Sequence, residues 1–171
     1  MKVFMMLSCM TLSCKVGAKT KVLDELIKMG LSKKDIYVLL GPVEVLIQLR
    51  GIKNLDEFVN KWFDPIRKIT PQEAMIDKTE TLLVISEGKS FAEEPYAFLF
   101  LNTQPRNLEK VQEMLQSIPQ VLSADTVFGP YDLICAVRAK DTTDLQQLVA
   151  KIQKDVPHIQ GTVTEIVASL Y

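Results

Sequence analysis

The sequence predicts an α+β protein built from two tandem βαββαβ modules. Three observations carry this: a Gly-Pro turn that recurs in each half, helical stripes that recur in near-constant register, and strands apolar at successive positions. Gly41-Pro42 and Gly129-Pro130 lie 88 positions apart. Each follows a β-rich run, Tyr37-Val38-Leu39-Leu40 in one case and Thr126-Val127-Phe128 in the other. An acid stands two positions after each proline, Glu44 and Asp132. Apolar runs come next, Val45-Leu46-Ile47 and Leu133-Ile134, ending at Arg50 and Arg138. A Gly-Pro pair between two apolar β runs reads as a hairpin turn, because proline fixes its own φ and glycine tolerates unusual ones.

The helices repeat as well. Leu108, Val111, Leu115 and Ile118 step by three and four, the period of an amphipathic helix. A shift of 89 gives Lys19, Val22, Leu26 and Met29. A shift of 90 relates Leu145, Leu148, Val149 and Ile152 to Leu55, Phe58, Val59 and Trp62. The last strand, Ile166 to Ser169, matches Leu83 to Ser86 at a shift of 83. The first module is therefore expected to carry about seven extra residues between Asp64 and Lys78, where a loop tolerates them. Polar residues 87–95, with Gly88 and Pro95, read as a linker. The expected division is a first module at 1–86, the linker at 87–95 and a second module at 96–171.

In the second module strands are expected near 96–103, 121–128, 132–138 and 159–169, with helices near 106–118 and 142–155. In the first, strands are expected near 3–14, 35–40, 43–50 and 79–86, with helices near 18–29 and 54–67. This is the ferredoxin-like order, a four-stranded antiparallel sheet with both helices on one face. Ala97 to Leu101 is apolar at every position, so the face away from the helices needs a cover too. Two such sheets packed face to face would supply it. The expected architecture is an intramolecular αβ-barrel pseudo-dimer.

Composition narrows the function. Apolar residues make up 47% of the chain and the net charge is -1, with signs mixed, so no basic field argues for nucleic acid. No apolar run nears the roughly 18 residues that span a bilayer. Cys9, Cys14 and Cys135 read as free thiols of a reducing compartment, hence a cytoplasmic protein. Residues 1–14 loosely mimic a short lipoprotein signal, but the repeat accounts for them as a strand. The methionines at 1, 5, 6 and 10 read as gap-filling core, and Trp62 falls on the buried stripe of its helix. A single histidine, His158, leaves no His-based metal cluster. There is no P-loop and no dinucleotide fingerprint, and no cofactor is expected. Residues 19–41 can be misread as the start of a winged helix. The helix that would then enter the groove carries Asp56, Glu57 and Asp64 against Lys61 and Arg67, which is poor chemistry for phosphate.

Particular residues carry a family resemblance: the stretch Ala97 to Thr103, the helix exit Ser117-Ile118-Pro119, the turn Phe128-Gly129-Pro130-Tyr131-Asp132-Leu133, and Val156-Pro157 ahead of Thr162 and Thr164. Over about 96–169 these resemble the effector domain of Lrp/AsnC-type regulators. The aromatic-Gly-x-Tyr-Asp turn is the most specific element. The first half is similar through the repeat alone: Leu40-Gly41-Pro42-Val43-Glu44 keeps the glycine and the acid and loses the tyrosine. Gln120 stands where the family has a glycine. The resemblance implies a two-sheet αβ barrel, a small effector such as an amino acid, and association into homo-oligomers or mixed assemblies with a full-length relative. It also implies a stand-alone form, because the chain opens directly into the first module where such regulators carry a helix-turn-helix. Related barrels host monooxygenases and haem-dependent enzymes, so an enzymatic alternative stands beside the regulatory one.

The candidate ligand-binding residues are Gly129, Pro130, Tyr131 and Asp132, with Thr162 and Thr164 on the last strand and Gly41 and Glu44 in the first module. A tight turn offers backbone N–H groups to a carboxylate, and Asp132 offers a charged acceptor to an ammonium. The same residues also read as a plain hairpin, with Asp132 satisfying backbone donors and Tyr131 packing. Thr162 and Thr164 would donate hydroxyls, or simply reflect β-propensity. Arg50 and Arg138 read as solvated strand ends. No catalytic residue and no metal ligand is assigned, and neither direct nucleic-acid contact nor membrane contact is expected.

Overall fold

A computed structural model of the chain describes residues 6–69 and 75–168. The expected start of the first strand, part of the expected insertion and Ser169 lie outside them. The first half contains β1 (Met6–Cys14), α1 (Lys19–Lys28), β2 (Ile36–Leu40), β3 (Val45–Ile52), α2 (Leu55–Phe58), α3 (Asp64–Arg67) and β4 (Ile76–Ser86). The second contains β5 (Ala97–Thr103), α4 (Leu108–Gln116), β6 (Val121–Phe128), β7 (Leu133–Val137), α5 (Thr142–Asp155) and β8 (Ile159–Val167). A π-helical turn, Val59–Phe63, joins α2 to α3. Two compact units divide inside β4, between Leu83 and Val84, and Ala168 belongs with the first.

Each unit holds a four-stranded antiparallel sheet. The order is β4-β1-β3-β2 in the first and β8-β5-β7-β6 in the second. Both are the ferredoxin-like order. In the second unit Ala97, Leu99 and Leu101 join Val111 and Leu115 of α4 and Leu145, Leu148 and Ile152 of α5 in one core. Phe98 and Phe100 alternate with them onto the other face and are buried as well. That double burial is why β5 is apolar at every position. In the first unit Met10, Leu12 and Cys14 pack with Val22, Leu26, Phe58, Trp62 and Ile66. Cys9 and Thr11, which alternate with them along β1, are buried too.

The second helix of each module corrects the sequence register. Asn54 Oδ1 accepts the N–H of Glu57 at 2.8 Å, and the Glu57 carboxylate accepts the N–H of Lys53 at 2.8 Å. Asp141 Oδ1 accepts the N–H of Asp144 at 2.8 Å, and the Asp144 carboxylate accepts the N–H of Lys140 at 2.9 Å. These reciprocal caps align the helices at a shift of 87, one turn from the 90 expected. Leu55 then matches Thr142 and is 57% exposed instead of core. The buried stripe is Phe58, Trp62 and Ile66, matching Leu145, Leu148 and Ile152. The π-helical turn supplies the one additional residue between Phe58 and Trp62. Pairing upholds the shift of 83 for the last strand: Leu12 lies opposite Thr79, and Leu101 opposite Thr162. The insertion ahead of β4 shrinks accordingly from about seven residues to about three.

Residues expected to form a linker are fastened at their start. Gly88 donates its N–H to Asp125 Oδ1 at 2.6 Å, and Lys89 Nζ donates to the Gln116 carbonyl at 2.8 Å. Just before them, Gln112 Nε2 donates to the Ser86 carbonyl at 3.2 Å. A Cβ on Gly88 would lie 2.6 Å from both the nitrogen and the oxygen of Ala124, so the backbone approach requires glycine.

Candidate functional site

The β6–β7 turn folds against the end of β5. Leu101 O accepts the N–H of Asp132 at 2.9 Å, and Thr103 donates its N–H to Asp132 Oδ2 at 2.9 Å. Asn102 Nδ2 donates to the Pro130 carbonyl at 3.3 Å. Val127 donates its N–H to the Asp132 carbonyl at 2.9 Å. The Tyr131 ring packs on Phe100 with centroids 5.1 Å apart. Asp132 thus satisfies a backbone donor through one carboxylate oxygen. Among the described residues its Oδ1 has no hydrogen bond or ion pair.

The first module repeats this turn bond for bond. Leu12 O accepts the N–H of Glu44 at 3.1 Å, and Cys14 donates its N–H to Glu44 Oε2 at 2.7 Å. Ser13 Oγ donates to the Pro42 carbonyl at 3.1 Å, in the place of Asn102. Leu39 donates its N–H to the Glu44 carbonyl at 2.8 Å. Gly41 and Gly129 take nearly the same φ, 158° and 159°. Two features differ. Val43 and Thr11 stand where Tyr131 and Phe100 form the aromatic pair. Glu44 Oε1 also faces Lys19 Nζ at 4.0 Å, whereas the residue equivalent to Lys19 is Leu108.

Thr162 and Thr164 lie opposite Leu101 and Leu99 on β8, so they share the helix-side face. Phe100, and with it the Tyr131 ring, belongs to the opposite face. The structure therefore places the threonines near the same sheet end but not on the face of the aromatic pair. Thr162 Oγ1 is buried and has no hydrogen-bond partner among the described residues. His158, at φ 75°, sits beside the turn, and its carbonyl accepts the Thr103 hydroxyl at 2.8 Å. Arg50 Nη2 donates to Gln48 at 2.7 Å and its Nε lies 3.4 Å from Asp35. Arg138 pairs with Glu93 at 2.9 Å. Both arginines are exposed and paired with neighbouring side chains, Arg50 two residues short of the end of β3 and Arg138 just beyond β7.

Ser13, Asn102 and Thr103 escaped the sequence reading as parts of the turn. The available signal was positional: they end β1 and β5, and strands one and three of this order are neighbours. Burial pushes the Cys14 thiol up to about 11, with Glu44 adding to the effect. Burial, then Asp125, raises the Cys135 thiol further. Neither thiol is poised as a nucleophile near neutral pH. Among the described residues no group of His, Cys, Asp or Glu could hold a metal ion, and no helix is long and apolar enough to cross a membrane.

Comparison with known proteins gives this geometry a context. No curated protein matches the chain. The siroheme decarboxylase NirDL is similar over 97% of this chain and 72% of its own, at 8% identity and a TM-score of 0.75. A putative monooxygenase from Lactobacillus acidophilus NCFM is similar over 96% and 93%, at 9% identity and a TM-score of 0.56. At such identities these likenesses concern the fold alone. They bear out the expected class, two tandem ferredoxin-like modules. A hypothetical protein from Pyrococcus horikoshii is similar over 44% of this chain and 89% of its own, at 35% identity and a TM-score of 0.40. The model of the Lrp/AsnC ligand binding domain matches residues 96–171, the whole second module with its Gly129–Asp132 turn. That match identifies the second module as an Lrp/AsnC ligand binding domain.

Proposed function

We propose that the chain is an effector-binding regulatory module that takes an amino acid or similar small metabolite at the Gly129–Asp132 turn. Asp132 carries the reading: one oxygen is held by the Thr103 N–H, and the other has no protein partner among the described residues. A fixed carboxylate with an open oxygen suits an ammonium group, and charge-assisted hydrogen bonds are the strong ones. Within the turn Pro130 has no N–H and that of Asp132 is spent on the Leu101 carbonyl, so the ammonium is the end of the ligand that this turn is equipped to hold. In this reading the module works in the cytoplasm. It acts by homo-oligomerisation or by mixed assembly with a full-length relative, and touches neither nucleic acid nor membrane. Thr162 belongs to the reading through its buried hydroxyl, which has no partner among the described residues, and Thr164 is a secondary member.

The alternative is a barrel enzyme of haem-dependent or monooxygenase type, since the siroheme decarboxylase and the putative monooxygenase share the fold over 97% and 96% of this chain. One thermal-shift experiment separates the two, with the twenty amino acids, haem and short duplex DNA as additives. A ligand at ~100 times its Kd stabilises by about 2.7 kcal/mol. A shift with one or a few amino acids, absent in Asp132→Asn, is the expected outcome. A shift with haem alone would put the enzyme first.

A further inference from the structure

We propose that the first module's turn is a self-occupied cation site, with the Lys19 ammonium in the place that a ligand's ammonium takes at Asp132. The inference rests on reading the second turn as a cation site, and adds that one chain offers one such site. In both modules the acid spends one oxygen on the strand-end N–H: Glu44 Oε2 on Cys14 and Asp132 Oδ2 on Thr103. The second oxygen differs. Glu44 Oε1 faces Lys19 Nζ at 4.0 Å. Among the described residues Asp132 Oδ1 has no such neighbour, and the residue equivalent to Lys19 is the aliphatic Leu108.

The lysine's position makes the pairing informative. Lys19 is the first residue of α1, whose first turn carries no acidic side chain. A cation there opposes the helix dipole, so helix formation does not favour it. The matching first turn of α4 carries Glu109, the sign that the dipole favours. Glu44 is the group that offsets the cost of a cation at this helix start. Loss of the Tyr131–Phe100 pair, replaced by Val43 and Thr11, fits a turn released from binding a free ligand.

The test is chemical rescue in the full chain. Lys19→Ala leaves Glu44 Oε1 uncovered, and n-butylammonium chloride is the probe, with sodium butyrate as the control. The expected result is a saturable rise in Tm of about 2 °C for Lys19→Ala with butylammonium. Wild type should rise less, and the double variant Lys19→Ala/Glu44→Gln, which keeps an acceptor for Cys14, should match wild type. Equal responses of wild type and Lys19→Ala would overturn the inference, as would equal rescue by butyrate. The effector reading fails separately. If rescue succeeds while no amino acid shifts the wild-type chain, Lys19 fills the place but the effector function falls. If Asp132-dependent amino-acid binding appears without rescue, the function stands and self-occupancy falls.

Discussion

Thr103 and Asp132 are joined by a 2.9 Å hydrogen bond from the backbone N–H of one to the carboxylate of the other. Thr103 is almost fully buried, so no water readily replaces that acceptor. Asp132→Ala is expected to destabilise the chain by about 1–3 kcal/mol, the cost of a stranded buried donor. Asp132→Asn, which retains an oxygen, should cost clearly less. Urea unfolding of the two variants checks this, and shows why Asn is the proper variant for ligand work.

Gly88→Ala should be among the more damaging single changes. The new Cβ would meet the Ala124 backbone at 2.6 Å, and neither atom belongs to a side chain that can swing away. A loss of about 1–3 kcal/mol is expected, in line with overpacking. A midpoint unchanged within error would mean that the segment after β4 does not hold its place against β6.

The corrected helix register has its own test. Leu55→Ser should be nearly silent, within about 0.5 kcal/mol, because the side chain is exposed. Phe58→Ala should cost about 3–5 kcal/mol, because Phe58 is core. Reversal of that order would restore the register read from the stripe alone.

Thiol titration gives a pH-dependent prediction. Cys14 has a folded value near 11 against 9.0 for the ordinary thiol. A raised folded value contributes stability that is fully present below pH 9 and is lost as pH rises towards 11, since the unfolded thiol ionises first. Stability should therefore decline across that window, and less so in Cys14→Ser. In native protein at pH 8 a thiol reagent should find Cys14 and Cys135 slow, and both should react promptly after unfolding.

Most of the fold was legible because its signals are periodic. The Gly-Pro turns, the α4 stripe and the twofold apolar strand each report burial directly through spacing. The second helix of the first module was not legible in register, since Leu55 continues a plausible stripe while the π-helical turn shifts the true one. What decided it was capping by Asn54 and Asp141, residues that a hydrophobic period ignores. Asp132 was visible as a candidate, but its bond to Thr103 was not, for a turn bonded to a neighbouring strand 29 residues away leaves no local pattern. The buried hydroxyl of Thr162 likewise depends on packing that no spacing rule encodes.

The paired turns also bear on how far such a chain can drift. At each strand end the requirement is for an acceptor of either length and a donor of any kind: glutamate serves for aspartate, and a serine hydroxyl for an asparagine amide. Shape is thereby uncoupled from residue identity. One copy can shed the wording of a family signature while its backbone keeps the same path and the other copy retains that wording.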